Sequence, residues 1–226
     1  MMGELAVITG SSRGIGRAIA LALAERGLDL ALLSRPSEAQ AETVRRCRAV
    51  GVAVQDVPCD VARPEAIGAA AEAVTEVPYV VVNNAAVLHR GHPLWETEMS
   101  VFEETMAVNV RAPYLMCRAF LPRMLASGRG RMIHLASISG TLGCPQQAAY
   151  GASKWALLGL HRALTDELKG SGLQSMAVLP GSVRTDMLAQ TPFPPDMEPE
   201  DVAQVVVFAA LDAPDAMQGA DLQVYG

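Results

Sequence analysis

The sequence predicts a doubly wound α/β fold: a single domain whose sheet of about seven mainly parallel strands is flanked by helices on both faces. Three observations carry this. Short apolar runs alternate with longer helical patterns from the first residues almost to the last. Several of those runs are continuous in Val, Ile or Leu, as strands buried on both faces require. A glycine-rich turn, Gly10 to Gly16, lies where the first run gives way to the first helical pattern. The 226 residues, 50% of them hydrophobic, supply one sizeable core but scarcely two, so residues 1–226 read as one domain.

Taken in order, the first strand is the apolar run Leu5 to Thr9, followed by a helix from about Gly16 to Arg26. A second strand, Leu28 to Ser34, precedes a helix from Ser37 to Val50, and a third, Val52 to Val57, precedes one from Pro64 to Glu76. The fourth strand, Tyr79 to Val82, leads to a long helical pattern from Ser100 to Ser127, which Pro113 is expected to bend or divide. Arg131 to Leu135 is the fifth strand, Ala149 to Lys169 the next helix and Ser175 to Leu179 the sixth strand. Prolines at 192, 194, 195 and 199 exclude regular helix or central strand from Ala189 to Pro199. The βα pattern resumes at once, with a helix from Pro199 to Leu211 and a short strand Leu222 to Tyr225. The proline-rich stretch, about 186–199, is therefore expected as a mobile loop beside a substrate site, not a linker.

Net charge of −6 and a pI of about 5.2 leave no electrostatic footprint for nucleic acid. The one dense basic cluster, Arg45, Arg46 and Arg48, reads as a solvated helix face. Cys47, Cys59, Cys117 and Cys144 form no spacing suited to a metal, and reduced thiols in a cytoplasmic protein are expected. The start, MMGELAVITG, lacks the pattern of a signal peptide, and no apolar run reaches the ~20 residues of a membrane span.

In Thr9-Gly10-Ser11-Ser12-Arg13-Gly14-Ile15-Gly16, Gly10 can turn the chain sharply and Gly14 lets backbone amides approach a pyrophosphate. Gly16 permits close helix-to-strand packing, and the helix N-terminus adds partial positive charge. Thr-Gly-x-x-x-Gly-Ile-Gly resembles the short-chain dehydrogenase/reductase family, and the resemblance extends over nearly the whole chain. It implies a Rossmann-type sheet and a nicotinamide cofactor held in part by Gly10, Ser12, Arg13, Gly14, Ile15 and Gly16.

The second strand ends Leu32-Leu33-Ser34-Arg35, without the carboxylate that would meet the ribose 2′-hydroxyl of NAD. Arg35, with Arg13 from the glycine turn, suits a 2′-phosphate instead, so NADP(H) is preferred and NAD(H) possible. Asp60-Val61 matches the family's adenine contact, although Asp60 is also placed to cap the helix entering at Pro64. Asn83-Asn84-Ala85-Ala86 resembles the family's Asn-Asn-Ala-Gly, with Asn83 and Ala85 expected at the cofactor and Ala86 departing from the usual glycine. A methyl group there is expected to narrow the cleft floor or alter a backbone angle. Pro180-Gly181-Ser182-Val183-Arg184-Thr185 follows the sixth strand and looks like the family's Pro-Gly-x-Val-x-Thr, so Pro180, Gly181, Val183 and Thr185 are expected to orient the nicotinamide carboxamide.

Tyr150 and Lys154 stand four residues apart on one helix face. A free phenol has a pKa of about 10, and a neighbouring ammonium together with a positive nicotinamide ring would favour its ionised form. Ser137, thirteen positions before Tyr150, can hold a substrate oxygen, with Ser139 a nearby competitor. The family order of serine, tyrosine and lysine matches Ser137, Tyr150 and Lys154. Asn109 matches the family's helix asparagine, which holds a water linking the lysine to solvent.

This resemblance implies hydride transfer between NADP(H) and a carbonyl or secondary alcohol, with Tyr150 as acid/base and Lys154 also gripping the ribose. Two alternatives are a 3-oxoacyl carrier-protein reductase and a catalytically silent NADP-binding regulator. His89 and His92 are placed to line the substrate mouth, His134 is expected to be packed in its strand, and Trp95 with Met187-Leu188 hints at an apolar pocket. A homodimer or homotetramer is implied by the resemblance, with the Tyr225-Gly226 ending a departure from the family's Val-Asp-Gly-Gly.

Overall fold

The computed structural model describes residues 3–226 and arranges seven strands as one parallel sheet, in the order β3-β2-β1-β4-β5-β6-β7. The strands are β1 Leu5–Thr9, β2 Asp29–Ser34, β3 Val54–Pro58, β4 Val80–Asn83, β5 Gly130–Leu135, β6 Leu173–Pro180 and β7 Asp221–Val224. The helices are α1 Gly14–Glu25, α2 Glu38–Val50, α3 Pro64–Ala73, α4 Met99–Met106, α5 Ala112–Ser127, α6 Ala148–Glu167 and α7 Pro199–Val207.

Successive strand residues serve opposite faces, and both faces are dry. Ala6, Ile8, Leu30 and Leu32 pack with Ile19 and Leu23 of α1, Val44 of α2 and Val202 and Val206 of α7. Leu5, Val7, Ala31 and Leu33 pack with Ile67 of α3, Met116 and Phe120 of α5 and Leu164 of α6. Burial on both faces explains why the strands read as continuous apolar runs.

β1 pairs in parallel with both β2 and β4. The first three strands step outward from β1 in one direction and the remaining four step outward in the other. The order reverses between β1 and β4, and the carboxyl end of the sheet at that point is the usual ligand position in such folds.

The long helix expected from Ser100 to Ser127 is divided, and the break precedes the proline. A π turn, Ala107–Arg111, separates α4 from α5, and Pro113 sits in the first turn of α5. Pro113 has no N–H for the Asn109 carbonyl four residues earlier, and the wider turn makes room for its ring. A second π turn, Phe208–Asp212, closes the helix begun at Pro199. The buried Arg131 donates to the carbonyls of Ala209 at 3.0 Å and Ala213 at 2.8 Å there, tying the end of that helix to β5. Among the described residues, no helix is long and apolar enough to cross a membrane.

Candidate active site

The glycine turn is built by close backbone approach. Gly10 has φ +69°, and a Cβ there would lie 2.9 Å from the Ala85 Cα. A Cβ on Gly16 would lie 2.2 Å from the Gly10 carbonyl oxygen, so no other residue fits where α1 meets the turn. Gly14, φ +51°, faces Thr185, whose Cγ2 would stand 3.2 Å from an added Cβ. Ile15 packs at the margin of the core.

Side chains from distant elements pin this turn. The Asn84 amide donates to the carbonyls of Thr9 at 2.8 Å and Gly10 at 3.1 Å, while the Thr9 hydroxyl accepts from the backbone N–H groups of Asn84 and Ala85. Arg17 donates to the Ser12 carbonyl at 2.6 Å and the Thr43 hydroxyl at 2.9 Å, joining turn, α1 and α2. Sequence reasoning did not single out Asn84 or Arg17. The neighbouring Asn83 directs its side chain into the core, 3.4 Å from the His134 Nδ1. Gln146 is the only non-glycine residue with positive φ among the described residues, so Ala86 brings no left-handed strain in place of the family glycine.

Arg13 and Arg35 are both exposed at the carboxyl edge of the sheet. Arg13 is paired with Asp186 at 2.9 Å, whereas Arg35 forms no ion pair among the described residues. Asp60 accepts from the Ala62 N–H at 3.1 Å within the turn before α3, whose N-cap is Arg63 with no side-chain cap, so Asp60 does not cap that helix; Val61 beside it is half-buried.

β5 ends at Leu135, and the chain then carries Ser137 to the start of a short 3-10 turn, Ile138–Gly140. α6 brings Tyr150 and Lys154 against it, and all three are buried, at 9%, 8% and 2% exposure. The Lys154 ammonium donates to the Leu135 carbonyl at 2.8 Å and lies 5.6 Å from the centre of the Tyr150 ring. Ser139 is engaged elsewhere, 3.4 Å from the Cys144 sulfur. The structure thus brings Ser137, Tyr150 and Lys154 together and leaves Ser139 aside.

The ionised phenol was expected from Lys154 together with a positive nicotinamide ring; in the protein alone, burial dominates both groups. Burial pushes the Tyr150 pKa up to about 12, with the Ser137 hydroxyl drawing it partly back. Burial also pulls Lys154 down to about 7. In the protein alone, desolvation is the largest cause at both groups. At neutral pH the phenol therefore holds its proton.

Asn109, in the π turn, has its side chain fully committed. Its amide donates to the Val87 carbonyl at 2.9 Å and the Ser153 hydroxyl at 3.0 Å, and its oxygen accepts from the Val87 N–H at 2.9 Å. Ser153 in turn donates to the Tyr150 carbonyl at 2.6 Å. Asn109 thus locks α6 to the loop after β4. Its own carbonyl lacks its ordinary helical donor because residue 113 is proline.

After β6, which ends at Pro180, the Gly181 N–H donates to the Val224 carbonyl at 2.8 Å, while Val183 is buried and bridges to Met197. Thr185 accepts from the Leu188 N–H at 3.3 Å and lies against Gly14. This loop therefore folds back over the glycine turn. The His89 Nε2 lies 2.9 Å from the Glu104 carboxylate, and His134 is fully buried, with its pKa pulled down to about 3 by burial. Trp95 is 81% exposed, so it lines no enclosed apolar pocket. Among the described residues, no group of three or more His, Cys, Asp or Glu could hold a metal ion.

A family model described as short chain dehydrogenase matches residues 4–193. The chain is 33% identical over 217 residues to estradiol 17-beta-dehydrogenase 11 of Rattus norvegicus, spanning 92% of this chain and 72% of that protein. It superposes with a TM-score of 0.91 on a Beutenbergia cavernae protein assigned as an NAD(P)-dependent gluconate 5-dehydrogenase with NADP bound at low occupancy; identity is 33%, covering 99% of this chain and 95% of the other. A 3-oxoacyl-[acyl-carrier protein] reductase of Brucella melitensis with bound NAD gives a TM-score of 0.91 at 27% identity, covering 100% and 90%. The chain belongs to the short-chain dehydrogenase family of oxidoreductases.

Proposed function

We propose that this protein is an NADP(H)-dependent carbonyl reductase or alcohol dehydrogenase in which Tyr150 is the general acid/base. One observation carries the reading: Ser137, Tyr150 and Lys154 are buried together at the carboxyl end of the sheet, beside a glycine turn closed so tightly that a Cβ on Gly10 or Gly16 would clash. Such a turn at a helix N-terminus fits a pyrophosphate. Arg13 and Arg35, both exposed at that edge, suit a 2′-phosphate.

NADPH, when bound, supplies the hydride. The backbone of Gly10, Ser12, Gly14, Ile15 and Gly16 would hold its pyrophosphate, and Asp60 and Val61 would meet the adenine. The backbone of Asn83 and Ala85 would line the cleft. Pro180, Gly181, Val183 and Thr185 would orient the carboxamide, with Tyr150 and Lys154 on the ribose.

Ser137 holds the substrate oxygen against Tyr150. The phenol, protonated at neutral pH, donates its proton to that oxygen, which favours the reductive direction. Lys154 then restores the proton, and its pKa of about 7 suits transfer in either sense near neutrality. The Asn109 carbonyl is the proposed anchor of a water that connects Lys154 with solvent. The loop 186–199 would close over the substrate, and free oxoacyl thioesters compared with carrier-bound ones test the 3-oxoacyl carrier-protein alternative.

A homodimer or homotetramer is proposed through α4 and α5. Phe102, Met106, Val110 and Tyr114 recur every four residues and line one groove with Leu160 of α6, with Phe102 and Tyr114 42% and 53% exposed. The four free cysteines support a reducing, cytoplasmic setting. Fluorescence titration with NADPH and with NADH tests the cofactor assignment. Tight NADPH binding with NADH much weaker is expected, and binding of neither would end the enzyme reading.

A further inference from the structure

We propose that Asp186 opposes the binding of a 2′-phosphate at Arg13, and so sets how strongly this protein discriminates between phosphorylated and unphosphorylated dinucleotides. The inference rests on the reading of Arg13 as a phosphate ligand.

The Arg13 Nη1 donates to the Asp186 Oδ2 at 2.9 Å. Arg13 follows β1 and Asp186 follows β6, and β4 and β5 lie between them in the sheet. The pair therefore links the glycine turn after β1 to the loop after β6 at the carboxyl end of the sheet. Its position is built in: Thr185, the preceding residue, lies against Gly14 and its hydroxyl accepts from the Leu188 N–H. The nearby Arg184 is taken up by Glu198 at 2.6 Å and is not a competing partner for Asp186.

Of the two arginines assigned to the phosphate, one thus already carries a carboxylate and the other carries none. A phosphate reaching Arg13 meets one of two situations. If it displaces Asp186, the ion pair is lost. If it shares the guanidinium, two anions are held within one side chain's span. Both weaken binding, and both act only on a ligand with the 2′-phosphate. Arg13 and Asp186 have side chains 68% and 73% exposed, so solvent screening limits the effect to about two- to fivefold in affinity.

Asp186→Asn separates charge from shape, because the amide oxygen still accepts from Arg13. The test is a fluorescence titration of the full-length protein with NADPH and NADH, using the wild type, Asp186→Asn, Arg13→Ala and the double variant, with circular dichroism confirming that each is folded. Asp186→Asn is expected to lower the NADPH Kd about two- to fivefold, to leave NADH unchanged and to lose its effect at high salt or in the Arg13→Ala background. An Asp186→Asn variant whose NADPH affinity is unchanged or weaker overturns the proposal, even when Arg13→Ala weakens NADPH selectively. Arg13→Ala leaving NADPH affinity untouched overturns instead the phosphate role of Arg13, and the proposal with it.

Discussion

Replacing Lys154 by methionine is expected to stabilise the cofactor-free protein while removing its activity. The ammonium is buried with the Leu135 carbonyl as its hydrogen-bond acceptor, and burial pulls its pKa from 10.5 to about 7. That displacement corresponds to about 5 kcal/mol against the charged form, of which about 4 kcal/mol opposes folding at pH 7, where the unfolded chain keeps the lysine protonated. Methionine fills most of the same volume without charge, but leaves the Leu135 carbonyl unpaired at a cost of about 1–3 kcal/mol. The balance is a gain of about 1–3 kcal/mol at pH 7, or about 2–4 °C in Tm for each kcal/mol. Because the folded pKa is depressed, the penalty is complete below about pH 7 and fades as pH rises toward 10.5. The wild type therefore gains on the variant across that window, and the two stability curves converge and cross. Urea denaturation at intervals between about pH 6 and 10 measures this. A variant less stable than wild type at neutral pH, by a margin that does not change with pH, would refute the reasoning.

Three further outcomes follow from the geometry. Gly16→Ala places a methyl group 2.2 Å from the Gly10 carbonyl oxygen, so it should lower stability by about 1–3 kcal/mol and weaken both dinucleotides together, as denaturation and titration would show. Asn84→Ala leaves the Thr9 and Gly10 carbonyls without their donor and should cost about 1–3 kcal/mol; dinucleotide affinity unchanged in the same variant would mean the turn does not need this clamp. Phe102→Asp sets a charge in the groove along α4 and α5 and should shift the mass measured by light scattering toward the monomer, while a wild type already monomeric would remove the proposed interface.

The sheet was legible because burial on both faces writes itself as unbroken apolar runs; Leu5 to Thr9 and Arg131 to Leu135 read as strands, and they are strands. The pairing of Tyr150 with Lys154 was legible from helix spacing, whereas Ser137 was preferred to Ser139 through the family's order of serine, tyrosine and lysine. What stayed hidden depends on non-local contact. Asn84 acts on backbone carbonyls 74 and 75 positions away, and although it lies within the Asn-Asn-Ala motif, nothing local shows that its side chain clamps the glycine turn. Pro113 announced a break but not its form, because the π turn ahead of it depends on how the helix satisfies its carbonyls. The raised Tyr150 pKa of the protein alone was not legible, because four-residue spacing shows that a lysine is near but not that both groups are desolvated. The Asp186 partner of Arg13 lies at the far end of the chain, in a loop whose path only the fold determines.

The role of Tyr150 is tested most directly by measuring NADPH binding and NADPH-dependent carbonyl reduction side by side in the wild type and in Tyr150→Phe. Phenylalanine keeps the ring and removes only the hydroxyl. NADPH affinity should remain within about a factor of a few, while turnover falls by about 10² to 10⁴. A Tyr150→Phe enzyme that binds NADPH and reduces carbonyls at the wild-type rate would contradict the assignment of Tyr150 as the proton donor.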